Sequence, residues 1–221
     1  MLLAIDTCAQ GTLALGRADG GTLTILGEAE IPAKRNSSDL LPALRGLLEE
    51  HGIAPGQLDV LVVTSGPGSF TGVRIGLSTV KGLAEALEKP VVAVSRLAVL
   101  AAKAGAQAAA FDASRGEFYF GGYVVGAAEK LLSGEEMAAR ARELGSALAV
   151  CEEPLAEKFS EARRVAAPTA GDALRFALPR IAAGDYDDPV LLDGSYLRRS
   201  DAEIFLKPAA GASHANGDVR P

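Results

Sequence analysis

The stretch from Ser65 to Ala84, SGPGSFTGVRIGLSTVKGLA, concentrates the residue types that could hold an anion: an apolar strand ends in a glycine loop that feeds a helix. Free backbone N–H groups and the helix dipole converge at such a terminus, so a phosphate loop is the first chemistry to test. The specific fingerprints are missing. No lysine follows a glycine in GxxxxGK[ST] spacing, and the GxGxxG spacing begun by Gly66 and Gly68 lands on Thr71. A tight turn set by Gly66, Pro67 and Gly68, with Thr71 as helix cap, accounts for the same residues without a ligand. Ser69 and Cys8 are nucleophile types, yet no histidine stands ready to activate them. His51 ends a predicted helix, where it favours the dipole, and His214 lies in a polar tail. Cys8 and Cys151 form no CxxC pair, which excludes a disulfide framework and a zinc knuckle.

The helix after the loop has three strips. At about 100° per residue, Val73, Leu77, Val80, Leu83, Ala84 and Leu87 make an apolar face, and Arg74, Lys81, Glu85 and Glu88 make a wet one. Between them run Ile75, Thr79, Gly82 and Ala86, spaced like the seam of a close helix pair. The seam packs either on the helix of residues 39–51 in the same chain or, together with that helix, on a second polypeptide.

The elements that position these residues begin with strands at 2–7, 12–17 and 22–31, separated by Gly-containing turns. A helix follows from Asp39 to His51, capped by Ser37 or Ser38, with Leu40, Leu41, Leu44, Leu47 and Leu48 as its stripe. Then come a buried strand at 59–65, the helix from Thr71 to Glu88, the strand VVAV and a helix from Ser95 to Ala104. This βββαβα order predicts an α/β fold with a mixed sheet flanked by helices. Ala4-Ile5-Asp6-Thr7-Cys8 with Gly11 is echoed by Ala110-Phe111-Asp112-Ala113-Ser114 with Gly116, so two related lobes are expected: 1–104, and a reduced copy at 105–206. In the second lobe, strands are expected at 107–112, 117–125 and 147–151 and helices at 135–144 and 169–183; 207–221 reads as a frayed tail.

A hydrophobic fraction of 48% suffices for a core in either lobe. The net charge of −6 repels polyphosphate, so contact with nucleic acid is expected only through a partner. The opening MLLAIDTC fits neither a signal peptide nor a membrane span, and a cytoplasmic protein is expected.

SGPGSFTGVRIG, Ser65 to Gly76, closely resembles the signature of the TsaB (YeaZ) family, and Leu3 to Thr7, the Asp112 to Glu117 hairpin and Tyr196 to Arg198 agree with it. The resemblance implies an actin/Hsp70/sugar-kinase type of fold with a reduced second lobe. It implies a non-catalytic subunit that supports threonylcarbamoyladenosine modification of tRNA with the catalytic subunit TsaD and the ATPase TsaE. In that family the first-lobe helices pair with TsaD, and similar surfaces serve self-pairing. Carried onto this chain, partner contacts fall at Leu40, Leu44 and Leu47 and at Gly72, Ile75, Gly76, Thr79, Gly82 and Ala86. The signature loop is Gly66, Pro67, Gly68, Ser69, Phe70 and Thr71, with Arg74.

The resemblance also implies what is missing. The catalytic relative binds metal through two helical histidines four apart, and here Arg96 and Leu100 stand in those places. Arg35-Asn36-Ser37-Ser38 stands where a family histidine is common, and Gly194-Ser195 where a proline is common. Asp6, Thr7 and Asp112 sit where nucleotide-binding members of the fold contact phosphate and metal; the other reading is a hairpin Asp that bonds nearby backbone N–H groups. No cofactor of its own is expected, with ATP or ADP only at a complex interface. A small ATP-dependent phosphotransferase is the alternative from another class, and a metallopeptidase a third that the missing ligands disfavour.

Overall fold

The computed structural model describes residues 1–32, 35–122, 127–195 and 197, with only the backbone for Asn36 and Ala127. Tyr196, Arg198, His214, residues 123–125 of the expected second-lobe strand and the expected tail at 207–221 lie outside them.

Strands β1 (Leu2–Asp6), β2 (Gly11–Asp19) and β3 (Thr22–Ile31) form two antiparallel pairs, and β4 (Val60–Thr64) and β5 (Val91–Val94) add in parallel on the other side of β1, giving the order β3-β2-β1-β4-β5. Every residue of β1 and β4 is buried, as expected of central strands covered on both faces. A second sheet repeats the pattern. Strands β6 (Ala108–Asp112), β7 (Glu117–Gly122), β8 (Ala127–Ser133), β9 (Leu148–Val150) and β10 (Arg163–Arg164) run in the order β10-β9-β6-β7-β8, with β6/β7 and β7/β8 antiparallel and β6/β9 and β9/β10 parallel. Each sheet places its first strand at the centre, hairpin partners on one side and parallel strands on the other. That repeated arrangement is the α/β architecture of the actin/Hsp70/sugar-kinase class.

One face of the first sheet packs on helices α1 (Asn36–Glu50) and α2 (Phe70–Leu87); Leu3, Ile5, Leu13 and Leu15 meet Leu40, Leu44, Leu47, Val73, Leu77 and Val80. The other face, carrying Leu2, Ala4, Ala14, Val60 and Val62, is covered by α6 (Ala170–Ala182) through Ala170, Ala173, Leu174 and Ala177. Helix α3 (Arg96–Ala104) packs on β6 and β9 through Leu97, Leu100, Ala101 and Ala104. The helix expected at 169–183 in the second lobe thus covers the first sheet, because its small-residue stripe fits close against Ala4 and Ala14. A capping box between Thr169 and Asp172 starts α6, and Lys103 of α3 bonds the same Asp172 carboxylate at 2.7 Å, joining the two helices. The second sheet is completed by α4 (Gly134–Leu144) and by a short α5 (Glu153–Lys158) that the sequence did not suggest. The residues after α6 run back along β5: Asp187 N–H donates to the Val91 carbonyl at 2.8 Å, and Ser195 N–H to that of Ser65 at 2.7 Å.

Truncating Leu174 to Ala should cost about 3 kcal/mol through the cavity it leaves. Urea denaturation followed by a probe on the first sheet checks it; a loss below roughly 1 kcal/mol would mean that α6 does not seal that face.

Candidate functional site

The β1 end, the glycine loop and the α2 start meet at one point. Thr7 Oγ1 donates to the Gly72 carbonyl at 2.7 Å, and Ser69 N–H donates to the Cys8 carbonyl at 2.7 Å. The helix cap is Ser69, whose hydroxyl accepts from Gly72 N–H at 3.2 Å; the expected cap, Thr71, already lies in the first turn. A Cβ on Gly72 would overlap the Thr7 carbonyl oxygen, one on Gly76 would overlap Thr7 Oγ1, and one on Gly68 would lie 2.7 Å from Cys8 Cβ. The glycines are therefore required by close approach of backbone at 68 and 72 and of the Thr7 hydroxyl at 76. They dock α2 on Thr7 and Cys8, and helix-start donors that a phosphate loop would offer outward are partly spent inside the chain.

Asp6 is 2% exposed. Its Oδ1 accepts from Cys8 N–H at 2.8 Å and from the Thr64 hydroxyl at 2.7 Å, and its Oδ2 lies 3.6 Å from Arg96 Nε. The arginine that stands in place of a metal-binding histidine thus compensates the acid. Its guanidinium lies 4.3 Å from the centre of the Phe111 ring, a favourable cation–π geometry. Asp112 repeats the local turn, accepting from Ser114 N–H at 2.9 Å, but is exposed. Among the described residues no group of His, Cys, Asp and Glu could hold a metal ion. Burial, reinforced by the neighbouring Asp6 charge, drives the Cys8 thiol far above its ordinary range, so it supplies no thiolate. Cys151 is pushed up to about 12, mainly by burial and then by Glu152.

Between Cys8, Gly68, Arg96, Phe111, Asp112 and Glu152 lies an open cleft of about 400 Å³, walled by Ser195 and Leu197 of the returning C-terminal segment. On the far side of α2, Leu41, Leu48, Ile53, Leu58, Leu83 and Leu87 line an almost wholly apolar groove of about 470 Å³ between α1 and α2. Leu41 is 59% exposed at its rim.

The sequence-predicted contact residues divide. Leu40, Leu44 and Leu47 are buried in the core, Leu44 also lining the groove, and Gly72 and Gly76 face Thr7, so Leu40, Leu47, Gly72 and Gly76 turn inward within the chain. The reason is geometric: small or apolar residues at helical spacing look alike whether they meet their own strand or another chain. Ile75 and Thr79 are half-buried, Gly82 and Ala86 are exposed, and nothing lies within 4 Å of a Cβ built on Gly82. In the signature loop the Gly66 carbonyl accepts from Arg96 N–H at 2.7 Å and Arg74 lies 4.0 Å above the Phe70 ring. His51 packs against Gly27, where it would overlap a Cβ. Sequence reasoning missed Leu83, Leu87 and Ile53 as groove residues and Glu152 as a cleft residue; an exposed Leu41 in an otherwise buried stripe was the only signal for the groove.

A family model described as TsaD, tRNA N6-adenosine threonylcarbamoyltransferase, matches residues 29–187. The solved structure of YeaZ from Pseudomonas aeruginosa superposes with a TM-score of 0.68 at 33% identity, covering 87% of this chain and 98% of that one. The chain belongs to the TsaB (YeaZ) family. The tRNA threonylcarbamoyladenosine biosynthesis protein TsaB of Bacillus subtilis (strain 168) is 42% identical over 128 residues, 55% of this chain and 54% of that protein. The match to this TsaB relative thus spans about half of its length. An uncharacterized protein of Mycobacterium tuberculosis (strain ATCC 25618 / H37Rv) is 31% identical over 91% of this chain and 93% of its own. In this TsaB-family chain the signature run is thus the element that closes α2 onto β1.

Gly72→Ala should destabilise the fold by on the order of 3 kcal/mol, because the clash is with backbone, whereas Gly82→Ala should stabilise it by about 0.5–1 kcal/mol through helix propensity. Thermal melts of the pair decide it, and equal effects would refute the packing role. A thiol reagent at pH 8 should leave Cys8 unmodified in the native protein and label it in denaturant; rapid native labelling would contradict its burial.

Proposed function

We propose that this chain is a non-catalytic subunit that pairs with a TsaD-type tRNA N6-adenosine threonylcarbamoyltransferase and supports formation of threonylcarbamoyladenosine in tRNA. The observation that carries the reading is the apolar groove between α1 and α2, rimmed by exposed Leu41 and flanked by the open small-residue strip Ile75, Thr79, Gly82 and Ala86. A contiguous apolar surface of this kind on a chain of net charge −6 suits a protein partner. The names of the relatives supply the pathway. A subunit role also agrees with the chemistry of the β1 end, where Asp6 is committed to Arg96, Thr64 and Cys8 and, among the described residues, no activated nucleophile faces the cleft. The same commitment removes support from a phosphotransferase, which needs that acid for phosphate or metal.

The proposal extends to the ATPase TsaE as a further member of the assembly, to self-pairing through the same face when TsaD is absent, to tRNA contact only through the complex and to a cytoplasmic setting. It treats 1–104 and 105–206 as lobes that exchange α3 and α6, followed by a tail at 207–221.

Leu41→Asp and Gly82→Arg should each weaken association with TsaD from the same organism by on the order of 2 kcal/mol, with no fall in melting temperature. Calorimetric titration of the purified subunits checks this. Undiminished affinity in both variants would move the interface elsewhere, and failure of the unmodified chain to bind TsaD or to support tRNA modification would end the proposal.

A further inference from the structure

Two charged side chains at the inter-lobe cleft keep polar atoms that no described residue satisfies. Arg96 is 7% exposed, and the carboxylate that pairs with it, Asp6, stands 3.6 Å away, outside hydrogen-bond geometry. Its Nε has no hydrogen-bond partner among the described residues, and neither has Oε2 of Glu152, a second cleft residue whose charge acts on Arg96. Unpaired buried polar atoms are costly and rare in native proteins, and two of them lining one cleft ask for an explanation. Burial raises the Glu152 carboxyl above its ordinary pKa, against the opposing pull of backbone N–H donors and of Arg96, and its Oε1 accepts from Asp112 N–H at 3.4 Å.

The charges around the cleft specify what would satisfy them. The Arg96 guanidinium, Arg115 and the α2 start at Gly68 and Ser69 favour an oxyanion, whereas Asp112 and Glu152 favour a cation or a neutral donor. A bare phosphate would satisfy the cations and leave both carboxylates uncompensated. A molecule with an anionic end and an ammonium end matches both kinds of charge at once. A volume of about 400 Å³ falls at the small end of ligand pockets and admits an amino acid readily.

We propose that this cleft is a binding site for a small zwitterion of the α-amino-acid class, its carboxylate held by Arg96 and its ammonium by Glu152 and Asp112. Binding involves no covalent step, and it is independent of the partner-binding role, because α1 and α2 present their groove on the other side. An amino acid seated here would join the β1–α2 junction to the Asp112 hairpin and so bridge the two lobes.

The test is ligand-observed saturation-transfer NMR on the full chain with glycine, L-serine and L-glutamine as probes, and acetate, methylamine, inorganic phosphate and AMP as comparisons. At least one amino acid should give a saturable signal that acetate and methylamine lack. Glu152→Gln, which keeps the shape of the side chain, should weaken it about tenfold or more, and so should Arg96→Lys, which keeps the charge beside Asp6 while removing the planar fork. Melting temperatures confirm that both variants fold; if Arg96→Lys does not, Glu152→Gln and Asp112→Asn carry the test. Absence of saturable binding by all three amino acids, tighter binding of phosphate or AMP, or binding indifferent to Glu152→Gln would each overturn the proposal.

Discussion

The structure depends on the contact between the end of β1 and the start of α2. There the backbone of Cys8 and Thr7 comes close against positions 68 and 72, and the Thr7 hydroxyl against position 76, leaving room for glycine alone. Two hydrogen bonds cross the contact in opposite senses, a buried one from Thr7 Oγ1 to Gly72 O and another from Ser69 N–H to Cys8 O. Since unmade buried hydrogen bonds cost more than made ones return, the contact forms as a unit or not at all. It sets the axis of α2, which then fills one face of the first sheet with Val73, Leu77 and Val80 and leaves its opposite side beside α1.

That same contact separates the chain's two surfaces. Toward the second sheet it leaves the cleft lined by Arg96, which pairs with the buried Asp6. A buried ion pair of this kind stabilises little by itself, but losing either partner strands a charge in the interior. Arg96 thus ties the acid of β1 in the first sheet to the aromatic ring of Phe111 in β6 of the second. Away from the cleft, α1 and α2 expose an apolar groove whose open strip narrows to glycine and alanine, where another helix can approach closely.

Much of the fold was legible because its signals are local. The hairpin turns at Gly11 and Asp19, the leucine stripe of α1 and the strand–loop–helix around Gly68 placed every element of the first sheet to within a few residues, and the Asp6/Asp112 echo led to the second. What was illegible is non-local. The stripe Ala170, Ala173, Leu174 and Ala177 announces a buried face without saying which sheet buries it. The two-residue β10 and the six-residue α5 are too short to show a period. Gly72 and Gly76 read as a seam for a partner because spacing along a helix is blind to what lies opposite. That Arg96 meets Asp6 could not be read from residues so far apart in the chain, even with both singled out.

The central claim is that the signature loop is a rigid packing joint whose immobility keeps α2 in place. Native-state hydrogen exchange at the Ser69 and Val73 amides, which donate to the Cys8 and Ser69 carbonyls, tests it most directly. The account predicts that both amides exchange only through global unfolding, with the same free energy as the amides of β1 and β4. Exchange through a local opening well below that value, as expected of a loop built to move around a substrate, would contradict it.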